Sequence, residues 1–166
     1  MNSRTNNDRK RAEITKLVAN HLVVQGFGNS GIRSLASSAG LSNRMLLYYF
    51  ESKEALIHES LMFIADGLEQ ELDTLLPADG VSGKQILNTL VDAGRSDAVK
   101  PLLHLFFELV GLAMRGGEPY RTLTRTLLER WQRWIEKKLR AGQKHQAPEI
   151  MARLEGHLLI NLIFED

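Results

Sequence analysis

The amino-acid sequence predicts an all-α protein, with three short N-terminal helices followed by five or six further helices. Apolar residues recur at intervals of three and four along most of the 166 residues, which is the spacing of amphipathic helices. Glycine and proline stand between these segments, where helices usually begin or end. No segment shows the alternation of apolar and polar residues that marks a half-buried strand.

Composition excludes several classes of protein. Apolar residues make up 43% of the chain and charged residues 25%, which are ordinary values for a globular protein. Because there is no cysteine, disulfide bonds and thiolate metal sites are excluded. No apolar run is long enough to span a membrane, and the N-terminus does not look like a signal peptide. We therefore expect a soluble, cytoplasmic protein without membrane contact.

Charge is distributed unevenly along the chain. The net charge is only +1, but residues 1–55 contain eight Lys or Arg against four Asp or Glu. This segment therefore carries +4 and the remaining residues carry −3. A basic segment on an acidic body suits a protein that meets phosphate groups with one end.

The first helix is predicted over residues 8–25 and ends at Gly26. The next segment, residues 30–54, reads as two short helices joined by a tight turn. Gly40 can take the left-handed conformation just past a helix end, and Ser42 suits the N-cap of a helix over residues 43–49. A helix, a glycine-containing turn and a second helix with polar residues at its start form the helix-turn-helix that reads DNA.

Residues 8–60 resemble the N-terminal region of the TetR family of bacterial transcriptional regulators. The family pattern is matched by Gly26-Phe27, by IRSLASSAGLS over residues 32–42, by Tyr48-Tyr49-Phe50 and by SKEAL over residues 52–56. Two residues depart from it, because Arg44 stands where the family usually has Gly and Leu47 where it usually has an aromatic residue. The resemblance implies a helix-turn-helix DNA-binding domain over residues 1–52 and a helical effector-binding and dimerisation domain over residues 53–166.

Two groups of side chains in the helix-turn-helix are candidates for DNA contact. Asn43, Arg44 and Met45 are expected at base edges, because Asn and Arg can hydrogen-bond to adenine or guanine and Met can pack on a thymine methyl group. For Tyr48 and Tyr49, the alternative to DNA contact is simple packing against the first helix. The residues expected at phosphates are Ser30, Arg33, Ser42, Tyr48, Tyr49 and Lys53.

The second domain is predicted to begin with a long helix over residues 53–76, stopped by Pro77. Helices are expected over residues 84–93, 101–116 and 119–142, and a last helix from Pro148. This last helix is apolar on more than one side, so another surface must cover it. A partner subunit would provide one, or the natural chain would continue beyond residue 166. Two DNA-binding heads on a symmetric dimer, formed through the last two helices, would meet major grooves about 34–36 Å apart and read a palindromic operator.

The helix that follows Pro101 is the most apolar segment, and it carries His104 and Glu108 one turn apart. These residues are either a solvated pair or a hydrogen-bonding pair inside a cavity. The family resemblance implies an apolar pocket whose ligand changes the spacing of the two heads. Any single lining residue could equally be ordinary core. The candidates are Leu61, Met62, Ala65, Leu90, Leu103, His104, Phe106, Phe107, Val110, Met114, Trp131 and Trp134.

Together these features predict a ligand-responsive transcriptional regulator, with repression as the family's usual mode and a small, mostly apolar effector. An enzyme is not expected, since the sequence has no HExxH or GxSxG motif and no dinucleotide-binding fingerprint. No cofactor or metal site is expected either. The alternative is a helical dimer whose head has lost DNA binding and acts through protein contacts.

Overall fold

The computed structural model describes residues 2–164, and the regular structure in this range is helical. Short 3₁₀ turns occur at Phe27–Asn29 and Ala141–Gln146, and one backbone bridge joins Val81 to Leu139. The predicted all-α fold is therefore confirmed. The α-helices are α1 (Asn2–Gln25), α2 (Ile32–Ser38), α3 (Asn43–Tyr49), α4 (Lys53–Leu75), α5 (Gly83–Gly94), α6 (Lys100–Met114), α7 (Tyr120–Lys138) and α8 (Ala147–Phe164).

The chain folds as two compact units, Met1–Asp66 and Gly67–Asp166. We call them the head unit and the body unit. The boundary lies within α4, which contributes residues to both units. This boundary is defined by packing alone. The predicted division between a DNA-binding domain and an effector-binding domain after residue 52 stays a prediction.

The head unit buries apolar residues from each of its four helices. α2 and α3 are seven residues each, which is too short for a helix to be stable in isolation. Burial of their apolar sides, through the packing of α1 on α2 and of α2 on α3, therefore holds them in place. The largest of the fully buried side chains in the head unit are those of Ile14, Val18, Leu22, Leu35, Leu46, Phe50, Leu56 and Ile57.

The body unit packs α5, α7 and α8 around a core that includes Ile86, Leu90, Trp134, Ile135 and Ile150. A smaller cluster joins Val99, Leu103 and Leu158. α5 and α8 approach closely at Gly94, where an added Cβ would overlap the Leu158 side chain.

Polar contacts attach the end of α4 to α7. Glu69 accepts a hydrogen bond from Arg130 Nε at 2.5 Å. One turn later, Asp73 accepts from Lys138 Nζ at 2.8 Å and from Trp134 Nε1 at 3.0 Å. The Lys138 side chain is only 4% exposed, so the Asp73 carboxylate is the charge that balances a buried ammonium group.

Two helix ends differ from the prediction. α1 already begins at Asn2, and α7 stops at Lys138 rather than near residue 142. The second difference has a tertiary cause: Val81 N donates to Lys138 O at 2.9 Å, and Arg140 N donates to Val81 O at 3.1 Å. The segment before α5 thus takes the backbone groups that a longer α7 would use. None of the described helices is both long and apolar enough to cross a membrane.

Candidate functional site

The turn between α2 and α3 has the geometry that its residues predict. Gly40 adopts φ 65°, a left-handed conformation in which a side chain would be strained. Leu41 N donates to Ala36 O at 2.9 Å, which closes the end of α2. Ser42 is extended, and its Oγ accepts from Met45 N at 3.2 Å, so it caps α3.

The inward side of α3 is locked into the head unit. Leu46 is fully buried and Phe50, just after the helix, is 1% exposed. The Arg11 guanidinium lies 4.8 Å from the centre of the Phe50 ring and donates through Nε to Glu59 Oε2 at 3.0 Å. Since α1 and α4 both hold this corner, the rotation of α3 about its own axis is set, and so is the set of residues that it presents outward.

The outward side of α3 consists of exposed side chains. Arg44, Leu47 and Tyr48 lie at positions i, i+3 and i+4 and so share one face. Leu47 is 49% exposed and Tyr48 71%, while Met45, on the adjacent side, is 43% exposed. Asn43 is half-buried at the start of the helix. The residues expected at base edges therefore lie together at one end of this short helix.

Exposure separates the two tyrosines. Tyr48 faces solvent, so its side chain is not packed against α1. Tyr49 is half-buried and meets the Tyr48 ring edge-on, with 5.2 Å between the ring centres. Tyr48 can therefore reach a ligand directly, and Tyr49 supports it from behind.

Three of the other residues expected at phosphates remain accessible, and one does not. Arg33 and Ser42 are exposed, and Lys53 is half-buried with its Nζ 3.9 Å from Glu54 Oε1. Ser30 is 4% exposed, and its hydroxyl donates to Phe27 O at 2.7 Å. We therefore correct the prediction for Ser30, because its hydroxyl closes the turn after α1 instead of facing outward.

His21 takes part in the head unit in a way that local sequence does not reveal. Its Nε2 lies 3.2 Å from Asn29 O and 3.1 Å from Ser34 Oγ. This side chain joins α1 to the turn and to α2, so it positions the first helix of the helix-turn-helix. The only indication of this role in the sequence is the position of His21 beside the apolar side of α1.

The body unit contains an open groove of about 620 Å³ between α6, α7 and α8. Most of its wall is aliphatic carbon, and Arg121, Arg125 and Glu129 bring charge to it. The lining residues are Val110, Ala113, Met114, Arg121, Thr124, Arg125, Leu128, Glu129, Gln132, Pro148, Met151, Ala152 and Glu155.

Two of the predicted pocket residues, Val110 and Met114, line this groove. His104 and Glu108 are both exposed, which favours the solvated pair over the cavity pair. The others lie outside the groove, and their part in ligand binding stays a prediction. Leu90, Trp131 and Trp134 belong to the main core of the body unit, Leu103 and Phe107 to its smaller cluster, Phe106 packs edge-on against Phe107, and Leu61, Met62 and Ala65 belong to the head unit.

Glu155 is the groove residue with the most unusual environment, and the sequence analysis did not single it out. Its Oε1 atom is buried and has no hydrogen-bond partner among the described residues. Burial raises the pKa of this carboxyl group, because the charged form loses hydration. The groove therefore offers an apolar wall with one carboxyl group able to meet a polar atom.

Comparison with known proteins bears on both units. Residues 19–60, from late α1 into α4, match the family model described as bacterial regulatory proteins, tetR family. No curated protein matches the chain.

Two solved structures share the fold over nearly the whole chain. One is described as a candidate transcriptional regulator of Streptomyces coelicolor A3(2), with a TM-score of 0.75 and 23% identity over 95% of this chain and 90% of that one. The other, from Pseudomonas aeruginosa PAO1, is described in the same terms, with a TM-score of 0.66 and 15% identity over 95% of this chain and 81% of that one. At these identities the likeness shows the fold.

Proposed function

We propose that this chain, a DNA-binding transcriptional regulator of the TetR family, reads a palindromic operator as a homodimer and leaves it when a small, mostly apolar effector binds. Repression is the mode that we propose. DNA reading belongs to residues 1–52 in this proposal, and effector binding and dimerisation to residues 53–166. We expect the protein to act in the cytoplasm.

The outward face of α3 is the observation that carries the DNA-reading part. Arg44, Met45 and Tyr48 extend from a helix whose opposite side is fully buried, so they are presented to a partner without reorganisation of the head. Arg33 and Ser42 are accessible beside them. A short helix with a cation and hydrogen-bonding groups on one face, within a net positive segment, suits entry into a major groove.

Dimer formation is supported by the exposed end of α8. The segment after Leu158 contains no charged residue up to Phe164, and its side chains are more exposed than a stable monomer favours. Pairing of two copies would bury this surface and bring two heads to one duplex. The exposed residues are Leu159 at 43%, Ile160 at 56%, Ile163 at 68% and Phe164 at 81%.

The effector part of the proposal rests on the groove of the body unit. Its aliphatic wall favours an apolar molecule. The Glu155 carboxyl group, whose Oε1 has no hydrogen-bond partner within residues 2–164, favours one hydrogen-bond donor on that molecule. α7, which forms one wall, also holds the end of α4 through Asp73. A ligand that prefers one arrangement of these helices would thereby be coupled to DNA affinity by the difference in its binding free energy.

The second candidate function is a head that binds protein instead of DNA. Exposed Met45 and Leu47 favour it, because protein surfaces accept apolar side chains more readily than phosphate does. Arg44 and Tyr48 on the same face favour DNA.

Selection of bound duplexes from a random DNA pool tests the proposal, followed by measurement of affinity against salt. We expect an enriched palindrome whose affinity falls steeply with salt as phosphate contacts are lost. Alanine at Arg44, Tyr48 and Lys53 together should reduce affinity for that duplex by about a hundredfold or more, since a good base contact such as that of Arg44 contributes about 1–3 kcal/mol and the phosphate contacts of Tyr48 and Lys53 are lost with it.

A matched control removes the same charge elsewhere. Lys84→Ala with Lys144→Ala takes two exposed cations from the body unit, and this variant should retain affinity within about threefold, since neither residue belongs to the proposed DNA-contacting set. A pool that yields no enriched sequence, with native and variant proteins binding equally, would contradict DNA reading by α3.

A further inference from the structure

We infer that α3 recognises thymine through the C5-methyl group, with Leu47 as the main contact and Met45, on the other side of the Arg44–Tyr48 row, as a second one. This inference rests on the proposed DNA-reading function and names the base chemistry that the site would select. It assigns a role to Leu47, which has no hydrogen-bonding atom in its side chain.

The exposed surface of α3 is mostly carbon. Four of its seven residues are exposed, and three of these are Met45, Leu47 and Tyr48, with Arg44 as the single charge. We call Met45, Leu47 and Tyr48 the α3 apolar patch. The inward side of the helix is already supplied by Leu46, so the patch is not needed for the core. Its apolar atoms are therefore available for a partner.

Thymine is the base that offers an apolar group in the major groove. The other groove-facing atoms of the four bases are mainly hydrogen-bond donors and acceptors. An aliphatic side chain pressed against one of those atoms would leave it without a hydrogen bond, which is unfavourable. Against a thymine methyl group, the same contact removes apolar surface from water on both sides. Leu47 thus favours thymine for two reasons. It covers the methyl group, and it cannot form a hydrogen bond with the polar groups that the other bases present.

The position of the patch also limits where that thymine lies. Leu47 follows Arg44 by three residues on the same face, which is about 4.5 Å along the helix axis. Successive bases of one strand are about 3.4 Å apart along the duplex. If Arg44 hydrogen-bonds to guanine, the thymine under Leu47 lies about one or two base pairs away. We therefore expect each half-site to contain a guanine with a thymine at that distance.

A protein partner is the competing occupant of the patch, and the geometry disfavours it. Arg44 lies on the same face as Leu47 and Tyr48, and accessible Arg33 and Ser42 lie in the same helix-turn-helix. A surface that mixes isolated carbon groups with cations and hydroxyl groups matches a groove floor bordered by phosphates.

Replacement of thymine by deoxyuridine tests the inference, because the two bases differ only in the methyl group. Starting from the selected operator, each thymine is replaced in both half-sites and the affinity of the full-length protein is measured. Loss of one methyl contact at about 0.8 kcal/mol corresponds to about fourfold, and therefore to about fifteenfold for a symmetric pair. We expect this loss at one or two positions per half-site, near the guanine.

Leu47→Ala should bind the thymine operator more weakly and show no further loss when deoxyuridine replaces the thymine assigned to Leu47, as a double-mutant cycle requires for a direct contact. Val24→Ala is the matched control, because Val24 is an aliphatic residue of α1 that is 75% exposed. That variant should keep the full sensitivity to deoxyuridine. Leu47→Asn, which keeps similar bulk at the same exposed site but presents polar atoms, should lose the sensitivity while remaining folded.

The outcomes separate this inference from the function on which it rests. Equal affinity of the native protein for the thymine and deoxyuridine operators would overturn the inference and leave DNA reading intact. Unchanged sensitivity in Leu47→Ala would overturn the role of Leu47 in the same way. If no duplex is selected at all, both fail, and a protein partner becomes the better account of the α3 apolar patch.

Discussion

The head and body units both expose apolar side chains, but they do so in different patterns. On α3, three apolar or aromatic residues surround a single arginine on a helix of two turns. On α8, the exposed residues form a longer segment in which the only polar residue is Asn161. Separated carbon groups beside a cation suit the edge of a DNA groove, whereas a continuous apolar helix face suits another helix. The arrangement of exposed residues therefore indicates the partner better than their number does.

The units also differ in how completely they are filled. In the head, Leu46 and Phe50 are buried and Arg11, over the Phe50 ring, is paired with Glu59, which suits a surface that must be presented in one orientation. In the body, a groove remains open and a buried oxygen of Glu155 has no hydrogen-bond partner in the part of the chain that the structure describes. Space and an unsatisfied acceptor suit a region that takes up a ligand.

The largest expected effect tests the orientation of α3. Leu46→Ala should lower the free energy of unfolding by about 2–5 kcal/mol, since the lost side chain is fully buried and leaves a cavity. The neighbouring Leu47→Ala should change it by no more than about 0.5 kcal/mol, because Leu47 is exposed. Urea denaturation followed by circular dichroism measures both. Equal losses would mean that the assigned inward and outward sides of α3 are wrong.

The next prediction concerns the continuous apolar face of the body. Ile160→Asp with Ile163→Asp places two carboxylates on the proposed dimer surface, where their burial is unfavourable. The dissociation constant of the dimer should rise by about a hundredfold, or about 2.8 kcal/mol, as measured by analytical ultracentrifugation.

Gln85→Asp with Asn88→Asp serves as the control, because it adds two carboxylates at exposed positions of α5. The control should associate like the native protein. If both variants remain dimeric, the interface lies elsewhere.

A smaller effect is expected at the end of α4. Asp73→Asn leaves the buried Lys138 ammonium without its carboxylate and should lower the free energy of unfolding by about 1–3 kcal/mol. Lys138→Met, which fills similar volume without charge, should be less destabilising. If Lys138→Met lowers the free energy of unfolding more than Asp73→Asn does, the assigned role of Asp73 in balancing the Lys138 charge is wrong.

The same contact predicts a dependence on pH. The hydrogen bond from Lys138, with a further one from Trp134, lowers the pKa of Asp73 below its ordinary value of 3.8. A carboxyl group whose pKa is lower in the folded state stabilises the fold above that ordinary value, and this contribution disappears as pH falls through the folded-state pKa. Melting temperatures of the native protein and Asp73→Asn should therefore converge in acid.

The smallest effect is expected at Glu155. Burial raises the pKa of Glu155 above its ordinary value of 4.5, so the protonated form favours folding. Its effect on stability is the reverse of that of Asp73: the fold is relatively favoured at low pH and loses stability as pH rises from about 4.5 through the folded-state pKa. Glu155→Gln should raise the melting temperature slightly at neutral pH and flatten this dependence. A lower melting temperature at neutral pH would show that the carboxylate has a stabilising partner.

Local signals predicted the head well. The bounds of α3, the left-handed Gly40 and the Ser42 cap all follow from residues within a few positions of one another. Ser30 was misplaced because its burial depends on how the chain folds back after α1, where Phe27 O accepts its hydroxyl proton. The end of α7 was misplaced because Val81, more than fifty residues away, pairs with its last turn.

The sequence by itself determined the helical fold, the order of the helices and the helix-turn-helix, because hydrogen bonds within a helix and the spacing of apolar residues along it are local properties. The tertiary structure decided which side of each helix stays uncovered. It exposed His104 and Glu108, brought α6, α7 and α8 together around Glu155, and buried Lys138 against Asp73. These outcomes depend on contacts between helices distant in the sequence, where packing of whole surfaces, rather than the period of any one segment, sets the environment of each side chain.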